Sequence, residues 1–239
     1  SYIKNKYNID PVPHILCTGF TREETEDLLI DLDYMGVDNV LAIRGDGNYQ
    51  PPMPEGCSCN KYALDLVEQI AAVNRAEYLM PLKDARPTNF CIGVTAYPEK
   101  HFEAPNMAFD IQQLLRKQEA GAQYAVTQMF FDNQKFFEFK KQAEAAGVTI
   151  PILPGLKVLT KKRHLSLIPS IFHTDLPEGL VEAITAAPDD KAVQDIGVEF
   201  AVQQSLELLE KGEKALHFYI MQYTKPFLRV REALSKQLV

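Results

Sequence analysis

The amino-acid sequence predicts an α/β fold, and three observations favour a (β/α)8 TIM barrel over a doubly wound sheet. Short apolar, β-rich segments alternate with longer amphipathic segments along the whole chain, which is typical of βα units. No Gly-rich phosphate fingerprint follows any predicted strand, as a doubly wound nucleotide-binding sheet would have. Polar and charged residues instead follow several strands, at the end of a barrel where active sites are built.

The periodicity predicts six strands and seven helices in order. The strands are 14–18, 39–44, 90–97, 123–130, 150–156 and 215–221. A helix follows each strand, at 22–35, 61–73, 106–120, 133–146, 161–172 and 224–238, and an extra helix at 189–210 precedes the last strand.

Capping residues support these boundaries. Thr21 followed by Glu24 matches a capping box at the start of the first of these helices. Gly36, Gly121 and Gly147 each stand where a predicted helix ends before a strand.

A closed barrel needs eight strands, two more than the six predicted. Residues 1–9 are expected to be the tail of a helix that leads into a proline-rich turn at 11–13. We therefore expect one domain, residues 1–239, with about six of the eight βα units and without the barrel's first two strands.

Composition excludes several classes of function. The net charge of −7 argues against a nucleic-acid partner, because that affinity depends on clustered Lys and Arg. No apolar run approaches the roughly 20 residues of a membrane span, and no leader pattern opens the chain. A cytoplasmic location without a membrane partner is the expectation.

The cysteines do not predict a metal site. Four cysteines are too few for a disulfide scaffold in 239 residues. Cys57 and Cys59 are separated by one residue rather than the two of a zinc knuckle, and no His lies nearby. Cys17 and Cys91 fall in apolar strand patterns and are expected to be buried.

Three strand ends carry candidate functional residues. Arg44, Gly45 and Asp46 form a corner that could bind a phosphate through Arg and a polar group through Asp, although an exposed salt-bridged turn fits equally well. Tyr97 and His101 could contact a flat cofactor, although a lone His is more often structural.

Gln128 is a sharper candidate. It lies near the end of a predicted strand with apolar neighbours, where an unpartnered amide costs ~1–3 kcal/mol. An amide at that position could read a pterin or amide edge. By contrast, Asp110, Arg116 and Lys117 fall on a predicted helix, where a solvated charged face is the simplest interpretation.

Short segments in one order along nearly the whole chain resemble the methylenetetrahydrofolate reductase family. They are Pro13-His14, Leu41 to Asp46, Tyr62-Ala63 with Asp65-Leu66-Val67, Ala96 to His101, Lys117 with Ala120-Gly121-Ala122, Thr127 to Asp132, Pro154-Gly155 and His217-Phe218-Tyr219. Each segment is weak alone, but their shared order is specific.

The resemblance implies a barrel that binds FAD at the strand ends. NAD(P)H would deliver hydride to the flavin, and 5,10-methylenetetrahydrofolate would then be reduced to 5-methyltetrahydrofolate for methionine supply. By resemblance, the FAD contacts would be His14, Arg44, Gly45, Asp46, Tyr62, Ala63, Tyr97, His101, Ala104, Asp110, Gln113, Arg116 and Lys117.

The family also implies roles at the folate site. Asp46 would lie near both flavin and folate and tune hydride transfer, and Gln128 would read the pterin. His164 matches a family Gln that contacts folate, and Ile168 matches an aromatic residue. Residues 220–224 stand where many members have an Arg for the folate tail. A homo-oligomer is also expected.

The family's general acid, a Glu on the opening strand, is expected to be missing from this stretch of sequence. We therefore expect residues 1–239 alone not to turn over the folate at an enzymatic rate, because general acid catalysis typically contributes ~100- to 10,000-fold. Two alternatives stay open: an inactive or incomplete barrel that needs a partner, and a phosphate-binding barrel lyase without flavin.

Overall fold

The computed structural model describes residues 2–45 and 56–237, and every structural statement below concerns those residues. The helices are α1 (Tyr2–Tyr7), α2 (Arg22–Tyr34), α3 (Ala63–Asn74), α4 (Met107–Glu119), α5 (Asn133–Ala145), α6 (His164–Phe172), α7 (Glu178–Ala186), α8 (Asp190–Glu210) and α9 (Thr224–Gln237). The strands are β1 (His14–Leu16), β2 (Asn39–Ile43), β3 (Cys91–Ala96), β4 (Tyr124–Met129), β5 (Ile152–Leu156) and β6 (His217–Phe218).

The six strands form one parallel sheet in the order β1-β2-β3-β4-β5-β6. His14 pairs with Leu41, Asn39 with Cys91, and Gly155 with His217. Each strand therefore pairs with the next one along the chain, without the reversal of order that defines a doubly wound sheet. This confirms the predicted βα-barrel class.

The predicted elements are confirmed with small differences at their ends. β6 has two residues where seven were predicted. The sequence pattern did not predict α7, a helix of nine residues. Pro177 precedes it and Gly179 lies in its first turn, so residue types that usually mark loops obscured a short amphipathic pattern.

The predicted capping residues are confirmed. The Glu24 amide donates to Thr21 Oγ1 at 3.0 Å, and the Thr21 amide donates to Glu24 Oε2 at 2.8 Å. Gly36, Gly121 and Gly147 all have positive φ, the left-handed conformation that ends many helices.

Contacts divide the chain into two compact units, which we treat separately. The first unit contains Ser1–Thr95, Gln112–Ala125 and Val148–Pro151, and the second contains Ala96–Ile111, Val126–Gly147 and Ile152–Val239. Val40, Leu66 and Ile70 are fully buried in the first unit. No helix in the part of the chain that the structure describes is long and apolar enough to span a membrane.

The second unit has two apolar clusters. One joins the end of β4 to α6, α7 and α8 through Met129, Leu159, Ile168, Ile184 and neighbouring residues. The other packs α8 against α9. These clusters support the segments that follow β4, β5 and β6, where the second unit places its candidate substrate residues.

Candidate functional site

In the first unit, Arg44 and Gly45 form a corner directly after β2. The Thr18 amide donates to the Arg44 carbonyl at 3.1 Å. Gly45 has a φ of +88°, and a Cβ at this position would lie 2.3 Å from Thr18 Oγ1. Only glycine fits this corner without displacement. Asp46, the third residue of the predicted motif, lies outside the described residues.

Thr18 was not predicted from the sequence. Its hydroxyl is buried and has no hydrogen-bond partner among the described residues. A buried hydroxyl without a partner costs ~1–3 kcal/mol, so a polar ligand group at the Arg44 corner would stabilise it. Its position after an apolar strand was the available signal, but Thr is too common in strands to single out.

Two candidate cations act on the same buried thiol. Burial raises the pKa of Cys17 to about 12, and the charges of Arg44 and Lys117 oppose that rise. Lys117 Nζ also donates to the Thr95 carbonyl in β3 at 3.3 Å. The structure therefore brings Arg44 and Lys117 to the carboxyl ends of the neighbouring strands β2 and β3. A lysine on a solvated helix face, the simplest interpretation from the sequence, would not need to contact β3.

The other cofactor candidates of the first unit lie on α3 and α4. Tyr62, just before α3, is 62% exposed, whereas Ala63 is buried. The Tyr62 amide donates to Asp65 Oδ2 at 3.0 Å, which fixes the start of α3 and leaves the ring exposed. On α4, Arg116 Nη1 donates to Gln113 Oε1 at 3.4 Å.

His14 is placed differently from Arg44. It is the exposed first residue of β1 and pairs with Leu41. Arg44 is three residues beyond Leu41, which corresponds to ~10 Å along a parallel strand. The described backbone therefore does not bring His14 to the Arg44 corner, and its assignment as a flavin contact stays a prediction.

In the second unit, the segment after β3 is a folded turn. The rings of Tyr97 and His101 meet edge to face, with their centroids 4.7 Å apart. The His101 amide donates to Asp110 Oδ2 at 2.8 Å, and Lys100 Nζ donates to the Ala104 carbonyl at 2.6 Å. Asp110 therefore orders the turn that presents Tyr97 and His101.

Gln128 lies at the carboxyl end of β4 and is half-buried. Its Oε1 accepts from the Met129 amide at 3.0 Å. Its side-chain NH2 has no acceptor among the described residues, so it can donate to a ligand. This geometry fits the predicted reading of a pterin edge.

Neighbouring contacts hold β4 rigid beside Gln128. Thr127 Oγ1 accepts from the Gly155 amide, and the Thr127 carbonyl accepts from the Tyr219 hydroxyl, both at 2.8 Å. A Cβ on Gly155 would lie 2.2 Å from the Thr127 carbonyl oxygen. Gly155 therefore allows β5 to approach β4 closely.

A cavity of about 370 Å³ lies within the second unit, in the segments that follow β4, β5 and β6. Its wall is largely apolar, including Met129, Ile168 and Phe218, and His164 also lines it. Such a cavity has the size and character of a small-molecule site. Gln128 is not part of the wall, but its neighbour Met129 is.

His164 is held as a neutral hydrogen-bond donor. Its Nδ1 accepts from the Thr160 amide at 3.2 Å, which puts the proton of the neutral ring on Nε2. Burial lowers the pKa of His164, as do the charges of Lys157, Arg163 and Lys161, against the opposite effect of Asp190. Near neutral pH, His164 can donate to a ligand in the cavity.

A larger cavity of about 620 Å³ lies elsewhere in the second unit. It is lined by α5, α8 and the segment at 175–177, and it contains none of the residues predicted for the site. We therefore assign the candidate site to the smaller cavity.

Within the described ranges, no group of three or more His, Cys, Asp or Glu is arranged to hold a metal ion.

Lys157 and Tyr219 are site residues of the second unit that were not predicted from the sequence, although Tyr219 ends the family-like segment His217-Phe218-Tyr219. Both follow the last residue of a strand and line the smaller cavity. A lysine directly after an apolar strand was a usable signal for Lys157, by the same reasoning that selected Arg44.

Comparison with known proteins places the chain in a family. The family model described as methylenetetrahydrofolate reductase matches residues 1–235. Methylenetetrahydrofolate reductase 1 of Schizosaccharomyces pombe is 30% identical over 98% of this chain and 37% of its own length. The 5,10-methylenetetrahydrofolate reductase of Escherichia coli is 28% identical over 92% of this chain and 68% of its own length. This chain thus spans about a third of the yeast relative and two thirds of the bacterial one.

One solved structure has the same fold. It is an uncharacterised protein from Clostridium thermocellum described as binding two copies of 5-methyl-5,6,7,8-tetrahydrofolic acid, and it aligns with 99% of this chain and 77% of its own length. Its TM-score is 0.61 at 13% sequence identity, so the likeness concerns the fold alone. The match of the family model over nearly the whole sequence shows that this chain belongs to the methylenetetrahydrofolate reductase family.

Proposed function

We propose that this chain forms the catalytic barrel of a flavoprotein that reduces 5,10-methylenetetrahydrofolate to 5-methyltetrahydrofolate with NAD(P)H. The observation that carries the proposal is the family match over residues 1–235. The placement of Gln128 and His164 in the second unit, near and in an apolar cavity, is consistent with it.

The described residues of the first unit fit FAD. Arg44 and Lys117 supply positive charge for a pyrophosphate, and Tyr62 offers an exposed ring. The buried hydroxyl of Thr18 has no hydrogen-bond partner among the described residues and could bond a polar group of the cofactor. When bound, FAD would accept hydride from one substrate and donate it to the other.

The protein's own residues would bind and orient the folate. The side-chain NH2 of Gln128 would donate to an acceptor on the pterin, and Nε2–H of His164 would donate from the cavity wall. The apolar cavity would exclude water from the bound ring system. Asp46 keeps its proposed role in tuning hydride transfer by its charge.

The two halves of the reaction test the proposal separately. Purified protein should show a visible flavin spectrum, and heat should release FAD that chromatography can identify. Anaerobic NAD(P)H should bleach that spectrum. In a version extended by the family's opening strands, which carry the general acid, 5,10-methylenetetrahydrofolate should restore the spectrum with formation of 5-methyltetrahydrofolate. Residues 1–239 alone should restore it far more slowly.

Each alternative gives a different result. A colourless protein that fails to take up FAD on reconstitution would contradict the proposal and favour an incomplete barrel. A colourless protein that binds sugar phosphates would favour a barrel lyase. Bleaching of the extended version by NAD(P)H without any folate reduction would retain the flavin site and reject the folate as the second substrate.

A further inference from the structure

The smaller cavity of the second unit has a charge opposite to that of the whole chain. The chain carries a net charge of −7, yet no Asp or Glu of the described residues lines this cavity, and Lys157, Arg163 and His164 do. A mostly apolar wall with basic side chains favours a ligand that has a flat apolar body and an anionic group.

Lys157 is the least solvated cation of this wall. Arg163 is exposed, whereas Lys157 is half-buried directly after β5. Lys161, the next lysine in the chain, lies over the Tyr223 ring at 5.2 Å and donates to its hydroxyl at 3.2 Å. Arg163 and Lys161 are therefore placed at the solvated edge of the segment, and Lys157 is placed inside.

The ammonium of Lys157 is only partly satisfied. It donates to the Tyr219 carbonyl at 2.8 Å, and an ammonium has three donors. Within the described residues it makes no ion pair. Burial lowers the pKa of Lys157, and no acidic group of the described residues opposes that effect. A partly buried charge without a counter-ion is unfavourable, so an anionic ligand group would stabilise it.

We propose that Lys157 binds an anionic group of the ligand in this cavity and sets the cavity's preference for acidic ligands. The inference rests on the proposed function, whose two substrates both contain a flat ring system and an anionic group. The carboxylates of the folate tail and the phosphates of NAD(P)H share this chemistry, and the measurements below distinguish them.

Direct binding tests the role of Lys157 without requiring turnover. Anaerobic calorimetry would use protein whose flavin is already reduced, so that NAD(P)H can bind but cannot transfer hydride to it. The probes are p-aminobenzoylglutamate for the folate tail and NAD(P)H for the nucleotide. Lys157→Met removes the charge and keeps most of the apolar stem. It should lower the affinity for one of the two probes about tenfold or more. Lys157→Arg should restore much of that binding.

Lys162→Met is the matched control. Lys162 is exposed, does not line the cavity, and donates to the Thr185 carbonyl at 3.0 Å. It should leave both affinities unchanged. Weaker binding of p-aminobenzoylglutamate alone assigns the site to the folate tail, and weaker binding of NAD(P)H alone assigns it to the nucleotide.

Two results would overturn the inference: unchanged affinity for both probes in Lys157→Met, or an equal loss in Lys162→Met. Because binding is measured rather than turnover, the proposed function can fail separately. A version extended by the family's opening strands that binds the probes through Lys157 but never reduces the folate would retain this site and reject the reaction.

Discussion

The candidate residues of the two compact units are held in different ways. In the first unit, Arg44 and Lys117 place positive charges at strand ends, and Gly45 forms a tight corner beside Arg44. Contacts with the backbone largely fix all three. In the second unit, Gly155 and His164 belong to closely packed segments around an apolar cavity. Substitutions in the first unit should therefore affect ligand affinity, and those in the second should affect stability as well.

The largest expected effect is on FAD affinity in the first unit. Arg44→Ala should weaken FAD binding roughly 10- to 100-fold, because it removes a charge-assisted contact to the proposed pyrophosphate site. Titration of the apoprotein with FAD, followed by flavin fluorescence, measures this.

Arg75→Ala is the control for Arg44. Arg75 forms an exposed ion pair with Glu77 at 2.7 Å in the same unit, and exposed pairs contribute little to stability. If Arg44→Ala and Arg75→Ala bind FAD equally well, Arg44 is only a surface charge and the contrast between the units fails.

A second prediction concerns packing in the second unit. Gly155→Ala should lower the free energy of unfolding by about 1–3 kcal/mol, because its Cβ would lie 2.2 Å from the Thr127 carbonyl oxygen. Urea unfolding measures the change.

Gly179→Ala provides a matched control on α7. A Cβ there meets nothing within 4 Å, and alanine is favoured over glycine in helices by up to ~1 kcal/mol. We expect Gly179→Ala to be neutral or stabilising. Equal losses in both variants would show that Gly155 is not a site of close approach.

The smallest expected effect is the pH dependence contributed by His164. Its pKa in the folded protein is lowered, so on acidification the unfolded chain binds a proton before the folded protein does. The contribution of neutral His164 to the free energy of unfolding should be fully present above the unfolded pKa of ~6.5. It should be lost as the pH drops through the lower pKa of the folded protein.

His164→Gln should remove this component, since glutamine does not titrate and its side-chain oxygen can still accept from the Thr160 amide. The free energies of unfolding of the two proteins, measured between about pH 4 and 8, should differ by a constant amount above about pH 6.5. Below that pH, the wild-type protein should lose more stability than His164→Gln. Parallel curves over the whole range would show that His164 titrates normally.

Local signals in the sequence predicted most of the fold. The capping box at Thr21 and Glu24 was predictable because it involves residues three positions apart. The sheet strands were predictable because buried parallel strands are continuous apolar runs. β6 and α7 were less so, because β6 is short and α7 contains residues typical of loops.

By itself, the sequence determined the order of the βα units and the strand ends at which Arg44, Tyr97 and Gln128 stand, since these depend on local periodicity and on the order of segments. Only the tertiary structure decided that, among the described residues, the buried Thr18 hydroxyl has no hydrogen-bond partner and no carboxylate lines the apolar cavity of Lys157. Those properties depend on which residues far apart in the chain come into contact and how much water they exclude. No pattern within one segment records either.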